Sequence, residues 1–315
     1  MITSRRFLTG FLVAGGCAML GLLSWKLIGP KSDLPVATAT PPMKAAAARP
    51  AADELDPVLE VIARGGTALE LEAAIGVLDT VTRTGTGLSA WQHGALLAAL
   101  EQGAPAGMSD GSWSHLFNSA CNALGTARPV ADEGLVELLE RVALDDTRLV
   151  MRLFALQHLS LAYDSATPAS RQRMRALVQR LLADPSSQTA GTALVVWRRW
   201  EKSAAPGDIP FLDLSRAIAA DPKRPVDVRV TALHAIGEDP GVLSLARTLA
   251  PDRTQPAILR KAALNLIGRH GEERDLEVLR LCSRENPRLA QAGRPAERSI
   301  KDRLAGIQEP VLHPY

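Results

Sequence analysis

The sequence predicts an all-α fold, a right-handed solenoid of stacked helical hairpins, and three observations support this prediction. Apolar residues recur at helical spacing from Leu55 onward. Gly, Pro, Asp and Ser separate these segments in stretches such as DPSSQ, AAPGD and GEDPG, and no clear period-two strand pattern remains. Hydrophobic residues make up 46% of the chain but aromatic residues only 4%. Burial must therefore rest on Ala, Leu, Val and Ile, in about a dozen helices joined by short turns.

The first 29 residues differ from the rest of the chain. Residues 7–27 form a nearly unbroken apolar run, and about 20 such residues are long enough to cross a bilayer. Arg5 and Arg6 precede the run, and the flank richer in Lys and Arg tends to stay in the cytoplasm. Residues 1–29 are therefore predicted to be a signal-anchor. This places the chain in the inner membrane as a single-pass protein, with its C-terminal domain in the periplasm.

Two other fates of this segment remain open. The ATA tripeptide at 37–39 is a small-residue cleavage site beyond the apolar run, and cleavage there would give a secreted protein. The AGGC stretch that ends at Cys17 is similar to a lipoprotein box, although an aliphatic residue is usual in place of its first Ala. Residues 30–53, dominated by Pro, Ala and Thr, follow as a flexible linker. Residues 307–315 are a C-terminal tail.

An internal repeat is visible within residues 54–306. Every second predicted helix contains a similar segment, with a small residue at one place and large aliphatic residues after it. The segments are FNSACNALG, RLFALQHLS, GTALVVW, RVTALHAIG and RKAALNLIG, with the small residues Ala120, Ala155, Ala193, Ala232 and Ala263. The step of about 31 to 39 residues is typical of two-helix repeats. One hairpin cannot bury its apolar face alone, so the repeats are expected to stack.

The segment DVRVTALHAIGEDPGVLSLARTL resembles HEAT repeats, in particular the short bacterial type known from phycobilisome lyases. The V-R-x-x-A-x-x-A-L-G pattern of that type is matched at residues 228–237 and again at 259–268. The resemblance is good over residues 226–286 and fair over 114–220, whereas residues 55–102 have a helical pattern that does not align. It implies an α-solenoid used as a binding platform. HEAT repeats have no common catalytic residues, so the resemblance specifies no reaction.

The last predicted helix, residues 287–304, has the composition of a polar cap. We expect Gly293 and Pro295 to interrupt it, because both residue types disfavour a helix interior. Charged residues keep its outer face solvated, as a terminal repeat requires. They are Arg288, Arg294, Arg298, Lys301, Asp302 and Arg303.

Two patterns that resemble catalytic motifs are better explained by helical structure. Residues 107–111 have the G-x-S-x-G spacing of a nucleophile elbow, but turn sequence precedes them where that motif needs a strand. Ser109 or Asp110 is therefore predicted to cap the next helix. None of the six histidines stands in a metal-binding pair such as H-x-x-x-H, and His158 is predicted to be a packing residue.

The cysteines and tryptophans of the repeat region are assigned to the core. Cys121 and Cys282 lie about four repeats apart, so both are predicted to be unpaired within the chain. Cys121 takes the place that Leu has in other repeats. Trp197 and Trp200 fall on the buried stripe of their helix, with the two arginines between them facing out. This assignment, together with the net charge of +2, argues against nucleic-acid binding.

A candidate partner-binding groove is defined by basic residues on one helix. In the family that the chain resembles, second helices of hairpins line the concave face. One such predicted helix is basic and carries Arg171, Arg173, Arg175 and Arg180. An earlier one is acidic through Glu137 and Glu140. A solvated face explains both patterns, and a groove for a partner's acidic segment is the other interpretation of the first.

The predicted function is therefore non-catalytic. The chain is expected to be a membrane-tethered, extracytoplasmic scaffold or assembly factor that binds an unknown protein partner in the cell envelope. No enzyme activity, cofactor, metal site or nucleic-acid partner is predicted, and membrane contact is through the N-terminal helix. The alternative, from the resemblance, is a lyase-type HEAT-repeat enzyme that acts on a protein-bound prosthetic group.

Overall fold

A computed structural model describes residues 55–85, 87–126, 131–201 and 208–307. Within these ranges every regular element is a helix, and none is a β-strand. No helix in these ranges is both long enough and apolar enough to span a membrane. The predicted signal-anchor (1–29), the linker (30–53) and all but the first residue of the tail lie outside the described residues.

Fourteen α-helices lie in these ranges, numbered here in chain order. They are α1 (Asp56–Arg64), α2 (Ala68–Thr84), α3 (Ala90–Gln102), α4 (Asp110–Thr126), α5 (Glu133–Asp145), α6 (Leu149–Ala162), α7 (Pro168–Ala183), α8 (Ala190–Trp200), α9 (Phe211–Ala220), α10 (Val226–Ala235), α11 (Leu243–Leu249), α12 (Ala257–His270), α13 (Leu276–Glu285) and α14 (Pro287–Leu304). Short 3₁₀ turns at Tyr163–Ser165, Pro240–Val242 and Glu273–Asp275 precede α7, α11 and α13.

The helices pack as hairpins and in two rows. Each odd-numbered helix packs against the even-numbered helix that follows it. Each even-numbered helix also packs on the next even-numbered one, from α2 through to α14. Helices α1, α3, α5 and α7 contact one another in the same sequential way. The helices therefore bury their apolar surface mainly against near neighbours in the chain, which is how stacked repeats bury theirs.

The predicted repeat segments fall on even-numbered helices, with RVTALHAIG extending two residues past the end of α10, and their small residues are fully buried. The side chains with no exposed surface include Ala120, Ala155, Ala193, Ala232, Ala263, Leu156, Leu194, Leu233 and Leu264. Small residues allow neighbouring helices of this row to approach closely. If Gly268 of α12 carried a Cβ atom, that atom would lie 2.6 Å from the Cβ of Ala296 on α14. The predicted buried stripe is confirmed.

The first hairpin follows the same rule, although its sequence does not align with the repeat. Ala74 and Leu78 of α2 are 3% and 0% exposed. Ile75 packs beside them, and α2 packs on α4. Leu71 stands three residues before the small residue, where the best-matching repeats have Arg. Because this arginine is missing, the sequence of α2 does not align with the repeat, although α2 packs like the later even-numbered helices.

A recurrent arginine closes three of the hairpins. In each, the side chain stands three residues before the repeat's small residue and reaches back to the end of the preceding odd-numbered helix. The Nε atoms donate to backbone carbonyl oxygens in the pairs Arg152 with Ala143 (3.0 Å), Arg229 with Ala219 (2.9 Å) and Arg260 with Ala250 (2.8 Å). The last carbonyls of a helix lack intrahelical donors and carry partial negative charge, so a guanidinium suits them.

Helix α14 runs unbroken through Gly293 and Pro295, so the predicted interruption is wrong. Pro295 is on the exposed side of the helix, where its missing N–H leaves one carbonyl without its helical donor. Gly293 allows α13 to approach, because a Cβ at this position would collide with the Oγ of Ser283. Packing against α12 and α13 holds the helix together despite the low helix propensity of these two residues.

Candidate binding surfaces

The predicted basic surface lies on α7, which begins at a well-formed cap. The Oγ1 of Thr167 accepts a hydrogen bond from the N–H of Ser170, and Pro168 takes the first helical position. The inward side of the helix is apolar through Met174, Leu177, Val178 and Leu181. Helix α7 packs mainly on α8, which follows it. It is therefore the first helix of its hairpin, whereas the sequence interpretation made it a second helix.

Arg171 closes the turn that precedes α7. Its Nε donates to the carbonyl oxygen of Tyr163 at 2.9 Å, and its Nη2 donates to that of Asp164 at 2.6 Å. The guanidinium also lies over the Tyr163 ring, 5.7 Å from the ring centroid. The hydrogen-bonding capacity of Arg171 is thus largely used within the chain.

Arg173 joins α7 to two carboxylates of α5. It pairs with Glu133, and its Nε donates to an Oε atom of Glu140 at 3.2 Å. The hydrogen bond from the Ser170 hydroxyl and the contact with Arg173 lower the pKa of Glu133. Burial raises the pKa of Glu140, against the opposing effect of Arg173. The acidic helix and the basic helix predicted from the sequence therefore bind each other.

Arg175 belongs to an internal cluster of aromatic rings. It forms an ion pair with Asp208, and its guanidinium lies 4.7 Å from the ring centroid of Trp197. Trp200 stacks on Tyr163 with the ring centroids 4.2 Å apart. Both tryptophans are buried, and the arginines between them are exposed. The predicted orientation of this helix is confirmed.

Arg180 differs from the other three arginines of α7. It is exposed and forms no hydrogen bond or ion pair through its side chain with the rest of the described chain. Of the four residues predicted to line a groove, three are held by intramolecular partners and one is available. Binding of a partner's acidic segment here stays a prediction.

The motif-like residues take structural positions. The Oγ of Ser109 accepts a hydrogen bond from the N–H of Ser112 at 3.1 Å at the start of α4, so the predicted helix cap is confirmed. His158 is 7% exposed, and its Nε2 lies 3.0 Å from the Oδ1 of Asn118. Burial lowers the pKa of His158 to about 4, so the ring is neutral at pH 7.

The cysteines of the described region are core residues. Cys121 on α4 and Cys282 on α13 are 1% and 2% exposed, and each is a free thiol. Burial raises the pKa of Cys121 strongly. Across the described ranges, no three His, Cys, Asp or Glu side chains are grouped so that they would hold a metal ion.

A surface that the sequence did not indicate lies on α3 and α5. Trp91 of α3 is 64% exposed, more than any other aromatic side chain of the described residues. One helical stripe continues from it through Gly94 and Ala98 to Glu101, all exposed. The Nη2 of Arg141 on α5 lies 3.8 Å from the Oε1 of Glu101. Glu137 stands one helical turn before Arg141. We call these six residues the α3–α5 surface.

This surface combines an aromatic ring, small residues and carboxylates. No atom lies within 4 Å of the place where a Cβ on Gly94 would be, so the space above the stripe is open. The buried side of α3 includes the polar residues Gln92 and His93. These polar residues interrupt the apolar pattern, so only Leu96 and Leu100 mark the inward side of α3. The spacing of Leu96 and Leu100 would have placed Trp91 outside.

A shallow groove of about 400 Å³ lies between α2 and α4. Leu71 and Ile75 contribute apolar side chains, and Glu72 and His115 add polar ones. The groove is open to solvent, and its apolar residues belong to the packing of α2 against α4.

No protein-family model matches the chain, and a search of the curated proteins finds no match.

Proposed function

We propose that residues 54–306 form a HEAT-like α-solenoid and that the protein is a non-catalytic scaffold that binds another protein. Three features support this proposal: the repeated Ala-Leu segments, the sequential packing of hairpins, and the arginine that ties one helix of a hairpin to the other. The even-numbered helices use their repeated core positions for stacking. The odd-numbered helices offer side chains that stacking does not use.

The observation that carries the proposal is the exposure of Trp91. A tryptophan with 64% of its surface exposed forgoes the large favourable free energy of burying its ring. Tryptophan is enriched among the residues that dominate binding energy at protein interfaces. Trp91 is therefore the expected anchor of a partner contact.

The rest of the α3–α5 surface indicates the kind of contact. Gly94 and Ala98 leave a shallow path along α3 on which a partner's helix or extended segment can lie close to the backbone. Glu101 is paired with Arg141, and Glu137 leaves the path with one net negative charge. An amphipathic partner segment with an apolar anchor and basic flanking residues fits this arrangement.

The proposal includes the location predicted from the sequence. Residues 1–29 would anchor the protein in the inner membrane, and residues 30–53 would separate the helices from the bilayer. The partner would then be a protein of the cell envelope. Cleavage of the N-terminal segment would leave the same binding surface on a secreted protein.

Quantitative co-purification tests the proposal. The full-length chain, tagged at its C-terminus, is isolated from envelope fractions, and the retained proteins are compared with those of Trp91→Ala. Leu69→Ala is the matched control, because Leu69 is 77% exposed but lies on α2. We expect one protein, or one complex, to be lost from Trp91→Ala and kept by Leu69→Ala. Equal retention by all three chains would exclude Trp91 as the anchor.

A further inference from the structure

Although the net charge of the chain is only +2, two parts of it have large and opposite net charges. Residues 55–145, which include α1–α5, contain twelve Asp and Glu and four Lys and Arg, a net charge of −8. Residues 146–307, which include α6–α14, contain eighteen Asp and Glu and twenty-six Lys and Arg, a net charge of +8. Because the hairpins pack in chain order, this separation along the sequence is also a separation in space. We call the two parts the acidic part and the basic part.

Both parts have charges that no intramolecular partner neutralises. In the acidic part, Glu72 and Asp79 of α2 are exposed and form no hydrogen bond or ion pair through their side chains with another described residue. They stand seven residues apart and so share one side of the helix.

The last hairpin provides the corresponding positive charges. Arg280 and Lys301 both bind the carboxylate of Glu297, at 2.9 and 2.7 Å. Four further arginines of the hairpin are exposed, and their side chains form no hydrogen bond or ion pair within the described ranges: Arg284, Arg288, Arg294 and Arg298. Arg294 and Arg298 are one turn apart on α14.

Exposed aliphatic residues lie on the same row of helices. Leu69, Val150 and Ile258 are 77%, 50% and 60% exposed. Each is the second residue of an even-numbered helix, in α2, α6 and α12. The even-numbered helices thus present negative charge on α2, positive charge on α14, and apolar side chains at intervals along the row. Exposed apolar groups combined with complementary charges are features of protein interfaces.

We propose that two copies of the chain pair in antiparallel orientation through their even-numbered helices, the acidic part of each copy against the basic part of the other. A two-fold axis repeats each contact, so α2 of each copy lies opposite α14 of the other and both end contacts are complementary in charge. Parallel pairing would place like charges together. A head-to-tail contact would leave one charged part unpaired at each end and would continue to grow. The antiparallel pair leaves the α3–α5 surface, on odd-numbered helices, free for a different protein.

Charge reversal in full-length protein, in a non-ionic detergent, tests the pairing by sedimentation equilibrium. Two variants reverse one part each: Arg294→Glu with Arg298→Glu, and Glu72→Lys with Asp79→Lys. We expect the unmodified chain to form a dimer whose Kd rises at least about ten-fold between about 0.01 M and 1 M salt. Each variant alone should be monomeric at the concentration at which the unmodified chain is dimeric. Mixing the two variants should restore a dimer, because both contacts of the mixed pair are again complementary.

A matched control separates the position of charge from its total. Arg83→Glu with Arg141→Glu changes the net charge by the same amount as the α14 variant, but both positions lie in the acidic part. This control should remain dimeric. All the altered side chains are exposed, so circular dichroism should show unchanged helix content.

Three results would overturn the proposal. The first is a monomeric unmodified chain at low salt at about 100 μM, a concentration at which weak specific interfaces are occupied. The second is a mass that continues to grow past the dimer, which would indicate head-to-tail assembly. The third is failure of the mixed variants to pair, which would place the association in another part of the chain. None of these results affects the test of Trp91.

Discussion

The Nε atom of Arg260 on α12 lies 2.8 Å from the backbone carbonyl oxygen of Ala250, at the end of α11. The same guanidinium donates to the carboxylate of Glu285 at 2.8 and 3.0 Å, and this hydrogen bonding lowers the pKa of Glu285. One side chain thus joins the ends of α11, α12 and α13. The same Nε-to-carbonyl contact in two earlier hairpins makes it part of the repeat.

We expect Arg260→Met to lower the free energy of unfolding by about 1–3 kcal/mol, because two acceptor groups lose their main donor. The carbonyl of Ala250 then keeps only the thiol of Cys282, and the carboxylate of Glu285 keeps only Arg253. Arg260 is only 4% exposed, so water cannot easily replace it. Urea unfolding monitored by circular dichroism measures the loss. Lys261→Met is the control at the adjacent, more exposed position, where a change within about 0.5 kcal/mol is expected. Equal effects at the two positions would contradict this role of Arg260.

Two glycine substitutions should have opposite effects on stability. Gly268→Ala places a Cβ 2.6 Å from the Cβ of Ala296, so α12 and α14 must separate at a cost of about 1–3 kcal/mol. Gly94→Ala meets no atom within 4 Å and replaces a poor helix former, so it should stabilise the protein by about 0.5–1 kcal/mol. Thermal unfolding of both variants measures the difference. An unchanged or raised Tm for Gly268→Ala would show that these helices are not closely packed.

The free energy of unfolding should decrease as the pH is lowered, because of His158. Its pKa is about 4 in the folded chain because burial disfavours the charged ring, against an ordinary value of 6.5. The unfolded chain therefore binds more protons between pH 6.5 and 4, and folding loses stability as the pH falls through that window. The total loss from this group is at most about 3 kcal/mol.

His158→Gln should remove this part of the pH dependence, since an amide does not titrate and its N–H₂ group can still donate to Asn118. The free energy of unfolding is measured between pH 7 and 4 for the variant and the unmodified chain. His115→Gln, at an exposed histidine, is the control and should keep the original slope. The same slope in all three proteins would refute the assignment.

Cys121 should resist alkylation until the protein unfolds. It is 1% exposed, and burial raises the pKa of its thiol, so the reactive thiolate is scarce. Iodoacetamide labelling, followed by mass analysis of the peptide that contains Cys121, should show no label in buffer and full label in urea. Labelling of this peptide in buffer would indicate that Cys121 becomes exposed in the folded protein, through local unfolding or loss of packing at α4.

Much of the fold follows from residue spacing. The repeat around Ala155, Ala232 and Ala263 predicted which residues are buried, because a helix with one apolar stripe has only one way to face a neighbour. The same logic placed Trp197 and Trp200 inside. The continuity of α14 did not follow, since local propensity at Pro295 disfavours a helix and only packing against neighbouring helices overrides it.

The candidate sites were harder to predict. The arginines of α7 were identified as a basic surface, but their partners Glu133, Glu140 and Asp208 lie about 30 to 40 residues away in sequence. Only the packing of α5, α7 and the segment before α9 brings them together. Trp91 was missed because Gln92 and His93, beside it, are polar yet buried.

Site-specific photo-crosslinking from α3 is the most direct test of the protein-binding function. A photoreactive amino acid is placed at Gly94, where the space outside the helix is open, and in a second chain at Leu69 on α2. After illumination of cells, we expect a discrete adduct with one envelope protein from position 94, and loss of that adduct when Trp91→Ala is added. No adduct from position 94, or the same adducts from both positions, would contradict a protein-binding surface on α3 and α5.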